Sequence, residues 1–214
     1  MARRTMLTVL AAGTLWGLAE ATLGGLLYQR SHSFLNPVVP SVIGLAVLAC
    51  ARGLVPRAGT SAAIAAIAML FKFLNAPFFA CHLLGIFLLG AAFDATWTAF
   101  RGRLRPLIGP AAGWLGFAAF AVVITWAFHY RYWYPVDWAK MFRHVGIAGS
   151  LTAMASAGLV PLGHRLGERL RAGEPRSLPL GRWAGTSAAA ACAGLWGFVT
   201  TSAVLSAWPG LAAG

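Results

Sequence analysis

Charged residues are scarce in this sequence, and acidic ones most of all. They make up 10% of the 214 residues, and only five are Asp or Glu, whereas 59% are hydrophobic. Soluble domains carry about 25% charged and about 45–50% apolar residues. With a mean hydropathy of +0.71, the chain lacks the polar surface that a water-exposed domain needs. This composition excludes a soluble enzyme, a disordered tail and a disulfide scaffold, and it predicts an integral membrane protein.

Cysteines and catalytic signatures are also sparse. The three cysteines, Cys50, Cys81 and Cys192, form no CxxC pair and no Cys/His spacing typical of zinc. The sequence contains no phosphate loop of the GxxxxGKS/T type and no HExxH or GxSxG signature. It also shows no inverted internal repeat of the kind found in standard secondary transporters. We therefore expect no catalytic residue and favour a binding role over an enzyme.

Long apolar runs make up most of the sequence. A helix needs about 20 mostly apolar residues to cross the hydrocarbon core. Seven runs approach this length, at 7–28, 37–54, 60–74, 79–100, 107–128, 144–163 and 183–207. The third is short and breaks at Asn75-Ala76-Pro77, so six or seven spans are expected. We predict one all-α polytopic membrane helix bundle over residues 1–214, whose first run is a retained span rather than a cleaved signal peptide.

Lys and Arg outnumber Asp and Glu by 17 to 5. They stand in short clusters between apolar runs, which argues against a nucleic-acid partner and for contacts with membrane lipids. With the N-terminus inside, 12 of the 17 fall on the cytoplasmic side, in agreement with the positive-inside rule. We therefore expect a bacterial-type inner (cytoplasmic) membrane and a cytoplasmic N-terminus.

Aromatic and imidazole side chains gather on the opposite side. The four tyrosines and four of the five histidines fall there, and the outer segment 128–138 is densely aromatic. Bilayer anchoring explains part of this pattern, because Tyr and Trp are enriched at membrane interfaces. A lid with aromatic faces and polar tips also suits a planar, partly polar ligand. The candidate substrate-binding residues are His32, Cys81, His82, His129, Tyr130, Tyr132, Trp133, Tyr134, Asp137 and His144.

Cys81 and His82 stand together at the outer end of a span, just after an interrupted helix. Thiolate and neutral imidazole are ligands for transition metals, so this pair is a candidate metal site. Adjacent residues on a helix point about 100° apart, however. The alternative is a buried packing cysteine beside an interfacial histidine that bonds to the backbone.

Glu20, Lys72 and Asp94 are charged residues that fall within apolar runs and are candidate buried charges. A carboxyl group at mid-membrane is costly unless it is paired or neutral. Glu20 is therefore either a group that locks internal packing, with Lys72 as a partner, or a ligand or proton site. For Asp94 we expect an ion pair with the arginines at 101–105 or the capping of a neighbouring helix, with a proton-relay role as the alternative.

Small residues recur every four positions on the first run, at Gly13, Gly17 and Ala21. Such a row lets another helix approach closely, and close packing drives helix association in lipid. We interpret it as a candidate docking face for a partner subunit.

This layout of inside N-terminus, three outer connections and the row of Gly13, Gly17 and Ala21 resembles the S-components of energy-coupling-factor vitamin transporters. The resemblance covers the general layout of most of the chain. It implies that segments 28–36, 74–80 and 129–144 enclose a vitamin and that the small-residue row contacts a transmembrane coupling subunit. Solitary members that take up cobalamin use a cysteine beside an outer loop to ligate cobalt, which implies that role for Cys81. A seventh span at 183–207 departs from the pattern, because it would put the C-terminus outside.

Three classes of function stay open at this point. The first is a membrane binding or uptake protein for a small cofactor-like molecule, such as the vitamin cobalamin, captured from the outer face. The second is a membrane-embedded enzyme or a transition-metal or haem centre with ligands drawn from Cys81, His82, His129 and His144. The third is an assembly subunit of a larger membrane complex.

The predicted position of the aromatic segment 128–138 on the outer side of the membrane can be tested by cysteine labelling. In a chain whose native cysteines are replaced by Ala, Tyr132→Cys should react with a membrane-impermeant maleimide in intact spheroplasts. Arg103→Cys, the matched control, should react only after the membrane is permeabilised. Protection of Tyr132→Cys in intact spheroplasts would contradict the orientation and remove the case for a ligand that arrives from outside.

Overall fold

The computed structural model describes residues 2–30, 36–74 and 80–173. Helices account for 87% of these residues, and no strand occurs among them. The all-α class predicted from the apolar runs is therefore confirmed for this part of the chain.

The first half of the described chain forms four helices. They are α1 (Ala2–Ala19), α2 (Gly25–Arg30), α3 (Val38–Leu54) and α4 (Thr60–Leu70). A π-helical turn, Glu20–Gly24, joins α1 to α2, and a 3-10 turn, Phe71–Leu74, extends α4. Pro40 lies in the first turn of α3, where the missing N–H has no intrahelical partner to lose.

The second half forms four more. They are α5 (Ala80–Ala99), α6 (Ile108–Val122), α7 (Trp138–Met141) and α8 (Ser150–Ala172). A 3-10 turn, Gly102–Leu107, leads into α6, and a π turn, Val123–Ala127, ends it. A further π turn, Phe142–Gly149, joins α7 to α8.

Four of the resulting helical stretches are long and apolar enough to cross a membrane. They are Arg3–Leu27, Cys81–Ala99, Gly102–Ala127 and Trp138–Ala172. Two shorter apolar helical stretches, Val38–Leu54 and Thr60–Leu74, coincide with the second and third predicted spans. The six predicted segments up to residue 163 are thus helical, but only four reach spanning length. The seventh predicted span, 183–207, and the break at Asn75-Ala76-Pro77 lie outside the described residues.

The helices pack side by side in a closed ring, in the order α1, α4, α5, α6, α8 and back through α3 to α1. Helix α3 also contacts α4, α5 and α6, and its Leu45 and Leu48 are fully buried. It therefore lies nearest the middle. Large apolar side chains such as Met6, Leu115 and Met154 are exposed on the outside, as a lipid-facing surface requires.

Glycines set the closest helix contacts. On α8, a Cβ at Gly163 would lie 2.6 Å from the carbonyl oxygen of Ala46 on α3. On α1, a Cβ at Gly13 would lie 2.7 Å from Cβ of Ile67 on α4, and one at Gly17 would overlap the ring of Phe71. Since lipid supplies no hydrophobic drive between helices, this close approach is a main source of their association.

The seam between α3 and α8 gives a matched pair of substitutions. Gly163→Ala should destabilise the protein by about 1–3 kcal/mol, because the new methyl group overpacks the contact with Ala46. Gly158→Ala, on the same helix with nothing within 4 Å, should be neutral or stabilising by up to about 1 kcal/mol. Thermal unfolding in detergent measures both. Equal melting temperatures for the two variants would show that the seam is not tightly packed.

Candidate functional site

The two ends of the bundle differ in chemistry. One end, here called the arginine end, carries the 3-10 turn Gly102–Leu107 and the C-terminus of α8, which contact each other. Its exposed arginines are Arg57, Arg101, Arg103, Arg105, Arg165, Arg169 and Arg171. The other end, here called the aromatic end, carries residues 128–141. The three π turns of the described chain lie toward this end, and π turns interrupt helices most often at functional sites.

Trp133 is the aromatic side chain that the connection 128–137 turns inward. Its indole is only 8% exposed and packs edge-on against Phe120 of α6, with the ring centroids 5.5 Å apart. The backbone N–H of Trp133 donates to the carbonyl of Tyr130 at 2.7 Å, which closes the turn that aims the indole into the bundle. Trp138, five residues later, is 71% exposed. The connection thus buries one ring and leaves its neighbours outside.

His144 lies at the centre of the same cluster. Its ring centroid is 5.1 Å from those of Trp133 and Phe120 and 4.8 Å from that of Phe117. The Nε2 atom of His144 is buried and has no hydrogen-bond partner among the described residues. Leaving such a group unpaired costs about 1–3 kcal/mol. An imidazole nitrogen held in an aromatic surround is therefore available to a ligand.

A second buried polar atom without a partner in the described chain is found toward this end. Thr125, on the π turn that ends α6, is fully buried, and its Oγ1 makes no hydrogen bond there. Its neighbour Ile124 belongs to the apolar cluster around Trp133 and Phe120. Four more such atoms, on Trp16, Arg52, Ser61 and Thr152, lie elsewhere in the described bundle, so what distinguishes the aromatic end is the set of aromatic rings around its unpaired nitrogen.

The side chains of Cys81 and His82 lie in different surroundings. Cys81, a half-buried free thiol, packs against the cluster of Phe120 and Trp133. His82 is exposed and lies within electrostatic range of Lys72. The described residues include no group of three or more His, Cys, Asp or Glu that could hold a metal ion. The metal role of Cys81 and His82 stays a prediction, and Cys81 is the one that joins the aromatic cluster.

The remaining predicted ligand residues form the outer surface of this end. Tyr130, Tyr132 and Tyr134 are exposed. The ring of His129 meets that of Tyr134 edge-on at 5.1 Å. The carboxylate of Asp137 caps α7 by accepting from the N–H of Lys140 at 3.0 Å.

The side chain of Lys140 on α7 contacts Tyr132 of the connection 128–137. Its ammonium lies 4.0 Å from the ring centroid of Tyr132 and donates to the Tyr132 carbonyl. Asp137 thus shapes the connection, and the tyrosines cover it from outside. His32, the last predicted ligand residue, lies outside the described residues.

Glu20 and Lys72 form a buried ion pair, as their isolation in apolar sequence predicted. Each residue is 7% exposed, and Lys72 Nζ lies 2.9 Å from Glu20 Oε2. The same ammonium donates to the Glu20 backbone carbonyl at 3.0 Å. The pair joins α1 to the end of α4.

Asp94 and Arg52 form a second buried ion pair, nearer the arginine end. Asp94 also accepts from the N–H of Ala62 at 3.1 Å, in the first turn of α4. The capping role predicted for Asp94 is confirmed, but its predicted partner was wrong. The arginines at 101–105 are exposed, whereas Arg52 of α3 is 2% exposed and lies against Trp97.

Arg52 is a buried charged residue that was not among the predicted site residues. Its place inside the predicted span 37–54 was the available signal, because an arginine within an apolar run needs a partner.

The small-residue row on α1 makes its close contacts within the chain. Gly13 and Gly17 are buried against α4, and Ala21 is half-buried in the π turn. As a docking face for a coupling subunit the row stays a prediction.

Comparisons of this chain with known proteins found no similar protein. No family model, no curated protein and no solved structure matches the chain.

The ion pair at Asp94 yields a stability prediction. Asp94→Asn should destabilise the protein by about 3–5 kcal/mol, because it leaves the buried Arg52 guanidinium without its counter-charge. The neutral double variant Arg52→Met/Asp94→Leu should recover most of that loss. Asp137→Asn, the same change at an exposed cap, should have little effect because Asn caps helices as well as Asp. Equal melting temperatures for Asp94→Asn and Asp137→Asn would show that the pair contributes nothing.

Proposed function

We propose that this chain is a membrane protein that binds a small, planar, partly polar, cofactor-like molecule at the aromatic end and takes part in its uptake. Trp133 occupies the site in the absence of the molecule, and the molecule replaces its indole between the rings of Phe120 and His144. The observation that carries the proposal is the buried Nε2 of His144, which lies inside an aromatic cluster and has no partner in the described part of the chain. Ligand sites in proteins combine such apolar walls with a few placed polar atoms.

The charge distribution supports entry from outside. The arginine end faces the cytoplasm in this proposal, because positive charge is retained on that side of bacterial inner membranes. The N-terminus is then cytoplasmic, and the aromatic end meets the outer aqueous phase. The shorter helical stretches Val38–Leu54 and Thr60–Leu74 count as spans in this proposal. They bring the bundle to six spans, with 183–207 as a candidate seventh.

The position of Cys81 narrows the class of molecule that the site would bind. Its thiol packs against the cluster of Phe120 and Trp133, so a molecule in the site would touch it. A metal-bearing cofactor such as cobalamin could then be ligated by sulfur, in keeping with the resemblance to solitary S-components. A coupling subunit remains the proposed partner for energy input, since the chain has no phosphate loop of its own.

His144 provides the sharpest test. His144→Phe keeps the ring that packs against Phe117 and Phe120 but removes the unpaired nitrogen. We expect the ligand-free variant to be at least as stable as the wild type. Its retention of the co-purifying molecule should fall about tenfold or more, because the loss of one hydrogen bond worth about 1.4 kcal/mol weakens binding by that factor. Native mass spectrometry and absorption spectra of the detergent-purified protein measure retention. His164→Phe is the control, because it makes the same change toward the arginine end and keeps a ring against Trp97.

The outcomes of that experiment separate the three classes of function. A bound organic molecule that His144→Phe loses and His164→Phe keeps supports the proposal, and a corrinoid spectrum altered by Cys81→Ser identifies the cargo. A bound metal ion or haem without another organic molecule would favour a metal centre instead. Protein that carries nothing after growth with vitamins, and that purifies with other membrane subunits, would overturn the proposal.

A further inference from the structure

The arginine end brings positive charges together from two distant parts of the chain. The 3-10 turn Gly102–Leu107 contacts α8. Arg105 of the turn and Arg171 of α8 are both exposed, and both lie within electrostatic range of His164. Two guanidinium groups from separate elements therefore lie around one place on the surface. We call Arg105, Arg171 and the surface between them the basic patch.

The carboxylates of the described chain do not neutralise this patch. Asp94 is already paired within the bundle, and Glu168 Oε2 lies 3.6 Å from His164 Nδ1. No ion pair in the part of the chain that the structure describes reaches the arginines at 101–105 or 165–171. Like charges that are close together repel each other. An anion that binds between these arginines would therefore stabilise the patch.

Exposed leucines accompany the arginines on both elements. Leu104 and Leu107 are exposed on the 3-10 turn. Four exposed leucines share one face of α8, because they recur every three or four residues: Leu159, Leu162, Leu166 and Leu170. Arg169 follows Leu162 by seven residues and lies on nearly the same face. This mixture of leucine and arginine is typical of the boundary between acyl chains and headgroups, where apolar stems are buried and charged tips reach the polar layer.

The length of α8 allows the basic patch to lie beyond the acyl chains. The helical stretch Trp138–Ala172 has 35 residues. At 1.5 Å per residue it is about 52 Å long, whereas the hydrocarbon core of a bilayer is about 30 Å thick. The end of α8 therefore reaches the depth of the lipid phosphates while the leucine face lies among the acyl chains.

We propose that the basic patch is a binding site for an anionic phospholipid. Arg105 and Arg171 bind the headgroup phosphate, since guanidinium groups match phosphate oxygens in geometry and charge. Leu104 and Leu107 contact the acyl chains. An acidic soluble protein would match the arginines alone, whereas a phospholipid brings a phosphate and apolar chains together. The patch lies on the α6–α8 side of the ring, across from α1, so a bound lipid leaves the small-residue row of α1 uncovered.

Native mass spectrometry of the full chain in detergent tests the site. The wild type should bind phosphatidylglycerol about tenfold or more tightly than phosphatidylcholine with the same acyl chains. Arg105→Gln/Arg171→Gln should lose most of this preference, because both guanidinium groups that bind the phosphate are gone. Arg131→Gln/Arg143→Gln is the matched control, since it removes the same charge from exposed positions toward the aromatic end. It should keep the preference.

A competition experiment separates a lipid from a soluble anion. Glycerol phosphate, which carries the charge without acyl chains, should not displace bound phosphatidylglycerol. Leu104→Gln/Leu107→Gln should weaken the binding of both lipids. Displacement by glycerol phosphate would overturn the proposal, because the patch would then bind a soluble anion.

Two other outcomes would also overturn the proposal. One is equal affinity of the wild type for the two lipids. The other is an equal loss of preference in the two double arginine variants, which would show that net charge alone attracts the lipid. His144→Phe should bind both lipids as the wild type does. The lipid site can therefore fail while the proposed ligand site at the aromatic end stands, and the reverse also holds.

Discussion

Four charged side chains are buried in a bundle whose outer surface is apolar: Glu20, Lys72, Arg52 and Asp94. Each needs an opposite charge as a partner, because lipid does not solvate charged groups. The two pairs that result join α1, α3 and α5 to the two ends of α4. Glycine contacts fix the remaining neighbours, including Gly163 against α3 and Gly13 against α4. Charge pairing therefore determines where the shortest helical stretch lies, and small residues determine how closely the others approach it.

The aromatic end follows a different principle, because its contacts satisfy packing but leave polar atoms unpaired. Trp133 fills the space beside His144 and Phe120, and the imidazole Nε2 has no partner within residues 2–30, 36–74 and 80–173. The arginine end, by contrast, pairs its buried carboxylate of Asp94 with both a guanidinium and a helix N-terminus. Arg52 and Ser61 near that end also carry a buried polar atom without a partner among the described residues. What sets the aromatic end apart is that its unpaired imidazole nitrogen lies within a cluster of aromatic rings, the combination expected of a ligand site.

Apolar run lengths predicted six helical segments in nearly the observed positions, because each run needs an apolar environment along its whole length. The Glu20–Lys72 pair could be predicted because so few charges were available. The partner of Asp94 could not, since nothing in the sequence shows that the last turn of α3 lies beside α5. The inward turn of Trp133, among five exposed aromatic neighbours, also depended on the fold. It is set by backbone hydrogen bonds to the carbonyl of Tyr130 and by the space between α5, α6 and the π turn Phe142–Gly149. Likewise, the spacing of Gly13 and Gly17 predicted a close helix contact but not that α4 would make it.

The account depends most on His144 being the polar atom that a ligand meets. Nitrogen-15 spectra of the five ring-labelled histidines, recorded on protein with and without its co-purified molecule, address this directly. The account predicts that the Nε2 resonance of His144 shifts on binding while those of His129 and His164 stay in place. A bound molecule that leaves His144 unchanged and shifts another histidine would contradict it.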